Sequence, residues 1–197
     1  MRRRKRYHHG NLREALLESA LQLIAEVGPA GFTLRELARR TGVSHNAPYR
    51  HFRDRDEVMA KVTVQGFKEL TQAMLRGSQS GAGAIDRLKR AGLAYISFAL
   101  QRPEHFTVMF DAPTRVRTDY ADAAEASEEA FNTLLSFVKS CQDERQLPSG
   151  NTHEFAMLAW SMVHGVAKLA TTGRLPYTST AEILKFAEFV IDNSLPA

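Results

Sequence analysis

Between Ser44 and Phe52 the chain reads SHNAPYRHF, and its side chains suit one kind of chemistry. Asn46 and Arg50 can form paired hydrogen bonds to the edges of adenine and guanine in a major groove. On a helix started by Ser44, residues His45, Asn46, Tyr49, Arg50 and Arg53 fall along one side, with Ala47 close to it. Pro48 and Phe52, four residues apart, fall on an apolar side. Tyr49 and Thr33 carry hydroxyls suited to phosphate oxygens, and Arg35 is a cation placed just after Thr33. Further cations lie in the run RRRKR, Arg2 to Arg6, which includes Arg3, Arg4 and Lys5, with His8 and His9 read as part of the same arm. His45 as a surface histidine, Asn46 as support for the Ser44 cap, and the basic run as a solvated tail are the plainer readings. His51 is assigned to packing.

Other chemistries find no foothold in the residue pattern. No His-Glu-x-x-His or paired Cys/His spacing would hold a metal, so no metal or cofactor is expected. No nucleophile elbow or Gly-rich phosphate loop is present, which argues against an enzyme. Cys141 is the one cysteine, so no internal disulfide forms, as fits a reducing compartment. The longest apolar runs fall short of the roughly 18–20 residues a membrane span needs. No apolar stretch follows the basic start as a signal peptide would require. A cytoplasmic, nucleoid-associated protein is expected, with no membrane partner.

Charge divides the chain in two. Residues 1–55 hold 12 Lys and Arg against 5 Asp and Glu, and residues 56–197 hold 14 against 17. A basic first part on a slightly acidic second part is the footprint of a nucleic-acid-binding head on a different module.

Positioning such a site requires helices, and apolar residues recur at helical spacing almost throughout. Asn11 and Glu14 form a capping-box pattern for a first helix carrying Leu12, Leu16, Leu23, Ile24 and Val27, ended by GPAG. A second helix starts at Thr33, with Glu36 as its box partner, and stops before Gly42. Ser44 caps a third. Asp54 and Glu57 open a fourth, which runs to about Arg76. Ala38, Gly42 and Val43 have the spacing of a helix-turn-helix core: a small crossing residue, a free turn and an apolar plug. Pro48 lacks an N–H and disfavours the α conformation at Ala47. An irregular or 3₁₀ first turn is therefore expected, with Tyr49 and Arg50 in regular helix beyond it.

After the break GSQSGAG, helices are expected over 84–101, from Pro103, over 119–145, 151–172 and 179–193. The fold class is all-α: an N-terminal three-helix helix-turn-helix head over 1–55, and a larger helical ligand-binding and dimerisation body over 56–197. Phe98, His105, Phe106, Met109, Phe110, Phe131, Met157, Trp160 and His164 are either core or the lining of an apolar pocket. The last two helices are apolar on two faces. Phe155, Met162, Val166, Phe186 and Val190 are therefore candidates for a dimer interface, burial within one chain being the alternative.

The stretch FTLRELARRTGVSHNAPYRHFRDRDEV resembles the DNA-binding head of TetR-family transcriptional regulators, over about residues 8–60. The shared pattern is a Thr-led helix, an Ala-x-x-x-Gly-Val-Ser turn and a Tyr-x-His-Phe. Arg55 stands where the family usually has a phosphate-binding lysine, and Pro48 where it usually has leucine. WSMVHG, Trp160 to Gly165, resembles a Trp-x-x-x-His-Gly element of one subgroup. The resemblance implies a homodimeric repressor that binds a palindromic operator in double-stranded DNA and is released by a small-molecule effector. A helical small-molecule-binding or adaptor protein without operator-specific binding is the alternative.

Overall fold

The computed structural model describes residues 12–113 and 115–194. The basic run with Arg3, Arg4 and Lys5, and the cap at Asn11, lie outside the described residues. Within them the structure is all-helical, with no strand: α1 (Leu12–Gly31), α2 (Leu34–Thr41), a 3₁₀ turn (Pro48–Arg50), α3 (Arg55–Ser78), α4 (Ala84–Gln101), α5 (Pro103–Asp111), α6 (Arg115–Thr118), α7 (Ala121–Asp143), α8 (Thr152–Thr171) and α9 (Thr180–Ser194). The short α6 has no counterpart in the apolar spacing, because a four-residue helix is too short to show a period.

Four of the expected capping signals, at Thr33, Asp54, Asn151 and Ser179, act where the sequence places them. Thr33 Oγ1 accepts from the Glu36 N–H at 3.2 Å. Asp54 Oδ1 accepts from the Glu57 N–H at 2.8 Å, and Glu57 Oε2 in turn accepts from the Arg53 N–H at 2.7 Å. Asn151 Oδ1 accepts from the His153 N–H, and Ser179 and Glu182 cap α9 reciprocally. Each arrangement satisfies donors that a helix start otherwise leaves open. α1 stays regular only to Val27, since Gly28 turns to φ 72 ahead of Pro29. α2 ends at Gly42, whose φ of 73 lets the Val43 N–H reach back to the Ala38 carbonyl at 3.1 Å. That left-handed position favours glycine because a Cβ would be strained there.

Two compact units emerge. The first holds the described residues up to Gln65 together with Glu104–Ala124, and the second holds Gly66–Pro103 with Glu125–Ala197. The boundary read from the charge pattern, at residue 55, differs from this division because the head gathers part of its core from far along the chain. Leu16, Ile24, Phe32, Leu37, Phe52 and Met59 pack in one buried cluster with Val108, Val116 and Ala123. In the second unit α4 packs on α8 and α9. Gly92 marks a close approach: a Cβ there would stand 3.2 Å from both Ile191 Cδ1 and Val163 Cγ1. A second core joins Leu88, Val138, Cys141, Leu147 and Ala156.

Candidate nucleic-acid interface

The third helix expected from Ser44 is replaced by a tighter arrangement. The Ala47 N–H bonds the Ser44 carbonyl at 2.9 Å, the Arg50 N–H the Ala47 carbonyl at 3.2 Å, and the His51 N–H the Pro48 carbonyl at 2.9 Å. These are i to i+3 bonds, so Tyr49 and Arg50 sit in a 3₁₀ turn and not in regular α-helix. The physical reason is Pro48, which has no N–H to return to Ser44 and so removes the α-type bond that would seed the helix. Ala47 nonetheless keeps helical angles, φ −62 and ψ −44.

With few internal bonds, the segment is held by what it buries. Pro48 is buried, and Phe52 is 2% exposed in the head core. His51 is half-buried with its ring 6.5 Å from that of Phe52. Arg13 also lies over Phe52, its guanidinium carbon 5.3 Å from the ring centroid.

The polar side chains point the other way. Ser44, His45, Asn46, Tyr49 and Arg50 are exposed, with Ala47 half-buried between them. Tyr49 is 54% exposed, unusual for a large aromatic ring with so much apolar area. None of His45, Asn46, Tyr49 and Arg50 forms a side-chain hydrogen bond or ion pair with another described residue. Arg35 is likewise exposed near the start of α2, beside the exposed cap Thr33. By contrast the neighbouring cations Arg39 and Arg40 are occupied by Glu36 and Glu26.

Arg55 is placed differently from an open phosphate donor. Its Nη1 donates to the carbonyls of Ala30 and Phe32 at 3.2 and 3.3 Å, and its Nε lies 3.4 Å from Asp56. The guanidinium thus closes the loop between α1 and α2. Tyr120 carries no signal in the local sequence, yet it reaches this region. Its hydroxyl donates to Asp54 Oδ1 at 2.8 Å and accepts from Arg53 Nη2 at 2.7 Å. Burial raises the Asp54 carboxyl, but hydrogen bonds from Glu57, Tyr120 and Arg53 outweigh it and hold the group below its ordinary range.

The residues expected to line a pocket divide between the two units. His105, Phe106 and Met109 are buried in the first, where the Phe106 ring centre lies 4.9 Å from that of Phe110. Phe131, Trp160 and His164 form an aromatic cluster in the second, with Trp160 6.1 Å from Phe131 and 5.8 Å from His164. Tyr95 completes it, its hydroxyl 2.8 Å from His164 Nδ1 and accepting from Trp160 Nε1 at 3.3 Å. Burial raises the Tyr95 hydroxyl well above its ordinary value, so it stays a neutral partner. A groove of about 410 Å³ between α3 and α4 is lined by Glu69, Ala73, Arg76, Ala94, Ser97, Phe98, Gln101 and Arg102. Phe98 alone of the expected pocket residues contributes to it.

Met157 is 37% exposed and faces outward with Leu158 at 48% and Leu169 at 42% on α8, and Phe189 at 62% on α9. Of the residues expected at an interface, Val166 is buried within its own unit, while Phe155, Met162, Phe186 and Val190 are half-buried. Phe186 packs on Tyr177 with ring centres 5.3 Å apart. No helix among the described residues is long and apolar enough to cross a membrane. Among them, no group of three or more His, Cys, Asp and Glu is placed to hold a metal ion.

An exposed, largely uncommitted row on a helix-turn-helix head, in a chain with a second helical unit, defines a helical DNA-binding regulator. Residues 16–62 match the family described as bacterial regulatory proteins, tetR family, and residues 88–193 match the tetracyclin repressor-like C-terminal domain. The chain belongs to the TetR family and is a DNA-binding transcriptional regulator.

Among solved structures, a protein with unknown function from Rhodococcus sp. RHA1 is 31% identical, with a TM-score of 0.80 over 98% of this chain and 100% of that one. The fatty acid degradation regulator FadR from Bacillus halodurans shares the fold at 13% identity, TM-score 0.80, over 97% and 98% of the two chains. The TetR family transcriptional regulator PfmR from Thermus thermophilus does so at 16% identity, TM-score 0.71, over 90% and 97%.

Proposed function

We propose that this regulator is a repressor that binds a palindromic operator as a homodimer and is released by a small molecule. The observation that carries the reading is the exposed row His45, Asn46, Tyr49 and Arg50, uncommitted among the described residues, beside Thr33 and Arg35. Asn46 and Arg50 read base edges, with His45 and Arg35 beside them. Tyr49, Thr33 and the backbone N–H groups at the start of α2 hold phosphates, and the basic arm with Arg3, Arg4 and Lys5 adds sequence-independent affinity. Arg55 serves this surface by fixing the loop at Ala30 and Phe32.

The dimer reading rests on the outward apolar side chains Met157, Leu158, Leu169 and Phe189, which a lone chain leaves in water. Two-fold symmetry then makes the two half-sites related, which is the reason to expect a palindrome. For the effector, the Tyr95, Trp160 and His164 cluster offers apolar rings with polar tips, the composition of a small-molecule site. Release follows if the effector favours an arrangement in which the two heads no longer meet successive grooves.

Footprinting on the DNA upstream of the protein's own gene, repeated across salt concentrations, tests the reading. A short protected palindrome is expected, with affinity falling steeply as salt rises. Protection without sequence preference would overturn operator-specific binding and favour the adaptor alternative.

A further inference from the structure

The DNA-reading segment has little internal structure to keep its place. Its backbone bonds are three i to i+3 bonds and one i to i+4 bond, and its exposed side chains are uncommitted among the described residues. Position must come from its ends. At the near end Pro48 and Phe52 are buried. Beyond Phe52, Arg53 and Asp54 close a ring of three hydrogen bonds with Tyr120. Arg53 Nη2 donates to the Tyr120 hydroxyl at 2.7 Å, that hydroxyl donates to Asp54 Oδ1 at 2.8 Å, and Arg53 Nε donates to Asp54 Oδ2 at 3.1 Å. The Arg53 guanidinium also stacks on the Tyr120 ring at 5.0 Å. Asp54 Oδ1 is the same atom that caps α3 through the Glu57 N–H. The ring therefore joins the exit of the reading segment, the start of α3 and the start of α7.

We infer that Tyr120 is a positioning residue for DNA recognition, holding the reading segment through Arg53 and Asp54. A second tie runs parallel to it: Lys61 Nζ reaches Asp122 Oδ2 at 2.6 Å, again between α3 and the first turn of α7. Nearby Val116 and Ala123 are buried in the head core with Phe52. The segment 104–124 is thus built into the head. The hydroxyl is the essential part, because it both donates and accepts at the junction of a cation and an anion. Phenylalanine at 120 would keep the ring stacked on Arg53 and lose both bonds. This inference rests on the DNA-reading role proposed above.

The test uses the full-length protein and a duplex enriched by the wild type from a random-sequence pool. Affinity for that duplex and for an unselected duplex is measured across salt for wild type and Tyr120→Phe, alongside amide hydrogen exchange. Tyr120→Phe is expected to weaken the selected duplex by about tenfold, the scale of lost charge-assisted hydrogen bonds. Binding to the unselected duplex and the salt slope should stay unchanged, since no phosphate contact is removed. Amides 51–57 should exchange faster while those of α2 do not. Wild-type affinity for the selected duplex, or wild-type exchange over 51–57, would overturn the inference. So would an equal loss on both duplexes with a shallower salt slope, which is the sign of a direct phosphate contact. A wild-type protein that enriches no sequence overturns the DNA-reading proposal as well, and so separates the two failures.

Discussion

The Phe52 N–H donates to the Pro48 carbonyl at 2.9 Å, and both side chains are buried beneath the exposed Tyr49 and Arg50. One short loop thus faces two ways: its apolar residues are committed to the head core and its polar residues face solvent. Proline suits this arrangement. It fixes φ for a tight turn and fills an apolar slot, at the loss of an N–H that a 3₁₀ start does not use.

Pro48 acts through packing, and substitutions should separate packing from contact. Pro48→Leu keeps an apolar side chain and restores the N–H, so the fold should persist with a stability change of no more than about 1–2 kcal/mol. DNA affinity should change modestly, within about fivefold. Pro48→Ala empties the slot and frees the unfolded chain, which should cost about 1–3 kcal/mol. Chemical denaturation with DNA titration checks both. A Pro48→Leu protein that fails to fold would refute the packing account.

Arg55 provides a second contrast. Its guanidinium bonds the carbonyls of Ala30 and Phe32, so Arg55→Met should lower stability by about 1–2 kcal/mol. The slope of log affinity against log salt should stay as in the wild type. A slope shallower by about one would instead identify Arg55 as a phosphate contact.

Asp54 should make the head acid-sensitive. Burial opposes its charge, but bonds from the Glu57 N–H, Tyr120 and Arg53 leave its folded pKa below the ordinary value. A lowered folded pKa contributes stability that is complete above the unfolded value, about 3.9, and is lost as pH falls through the folded value. Unfolding curves between about pH 3 and 7 should therefore show a steeper acid loss for wild type than for Asp54→Asn. Parallel curves would contradict this assignment.

The proposed dimer surface can be probed at a glycine. A Cβ on Gly165 would meet nothing within 4 Å in the chain itself. Gly165 also lies four residues from both Ser161 and Leu169, on the exposed side of α8. Gly165→Leu should leave the monomer fold intact, and yet weaken a dimer that packs closely there. Phe189→Glu should do the same by placing a charge on an apolar patch, with at least about a tenfold loss of association. Analytical ultracentrifugation reads both, and a wild-type dimer in both variants would move the interface elsewhere.

Much of this was legible in the residues. The caps at Thr33, Asp54, Asn151 and Ser179, the turn at Gly42 and the break before Ala84 are local signals. They depend on hydrogen bonds and dihedral preferences within a few positions, so the sequence determined the all-helical fold and most helix ends. The Tyr-x-His-Phe stretch and its turn also sufficed to point to the TetR family. The recognition segment was half legible. Pro48 announced a 3₁₀ start, but local rules alone did not show that Tyr49 and Arg50 would stay in the 3₁₀ turn.

Long-range pairing decided the rest. Tyr120 lies 66 residues from Asp54, and nothing in either neighbourhood marks the other. Val108, Val116 and Ala123 join the head core from beyond α4, so the first compact unit takes in residues far past the division read from charge. Arg55 has the side chain of a phosphate ligand, and it is the fold that turns its Nη1 to the carbonyls of Ala30 and Phe32. Apolar spacing said that α8 and α9 bury two faces, while only packing put Val166 inside and Phe189 outside. Periodicity reports which residues share a face; which face meets which neighbour depends on how separate helices come together.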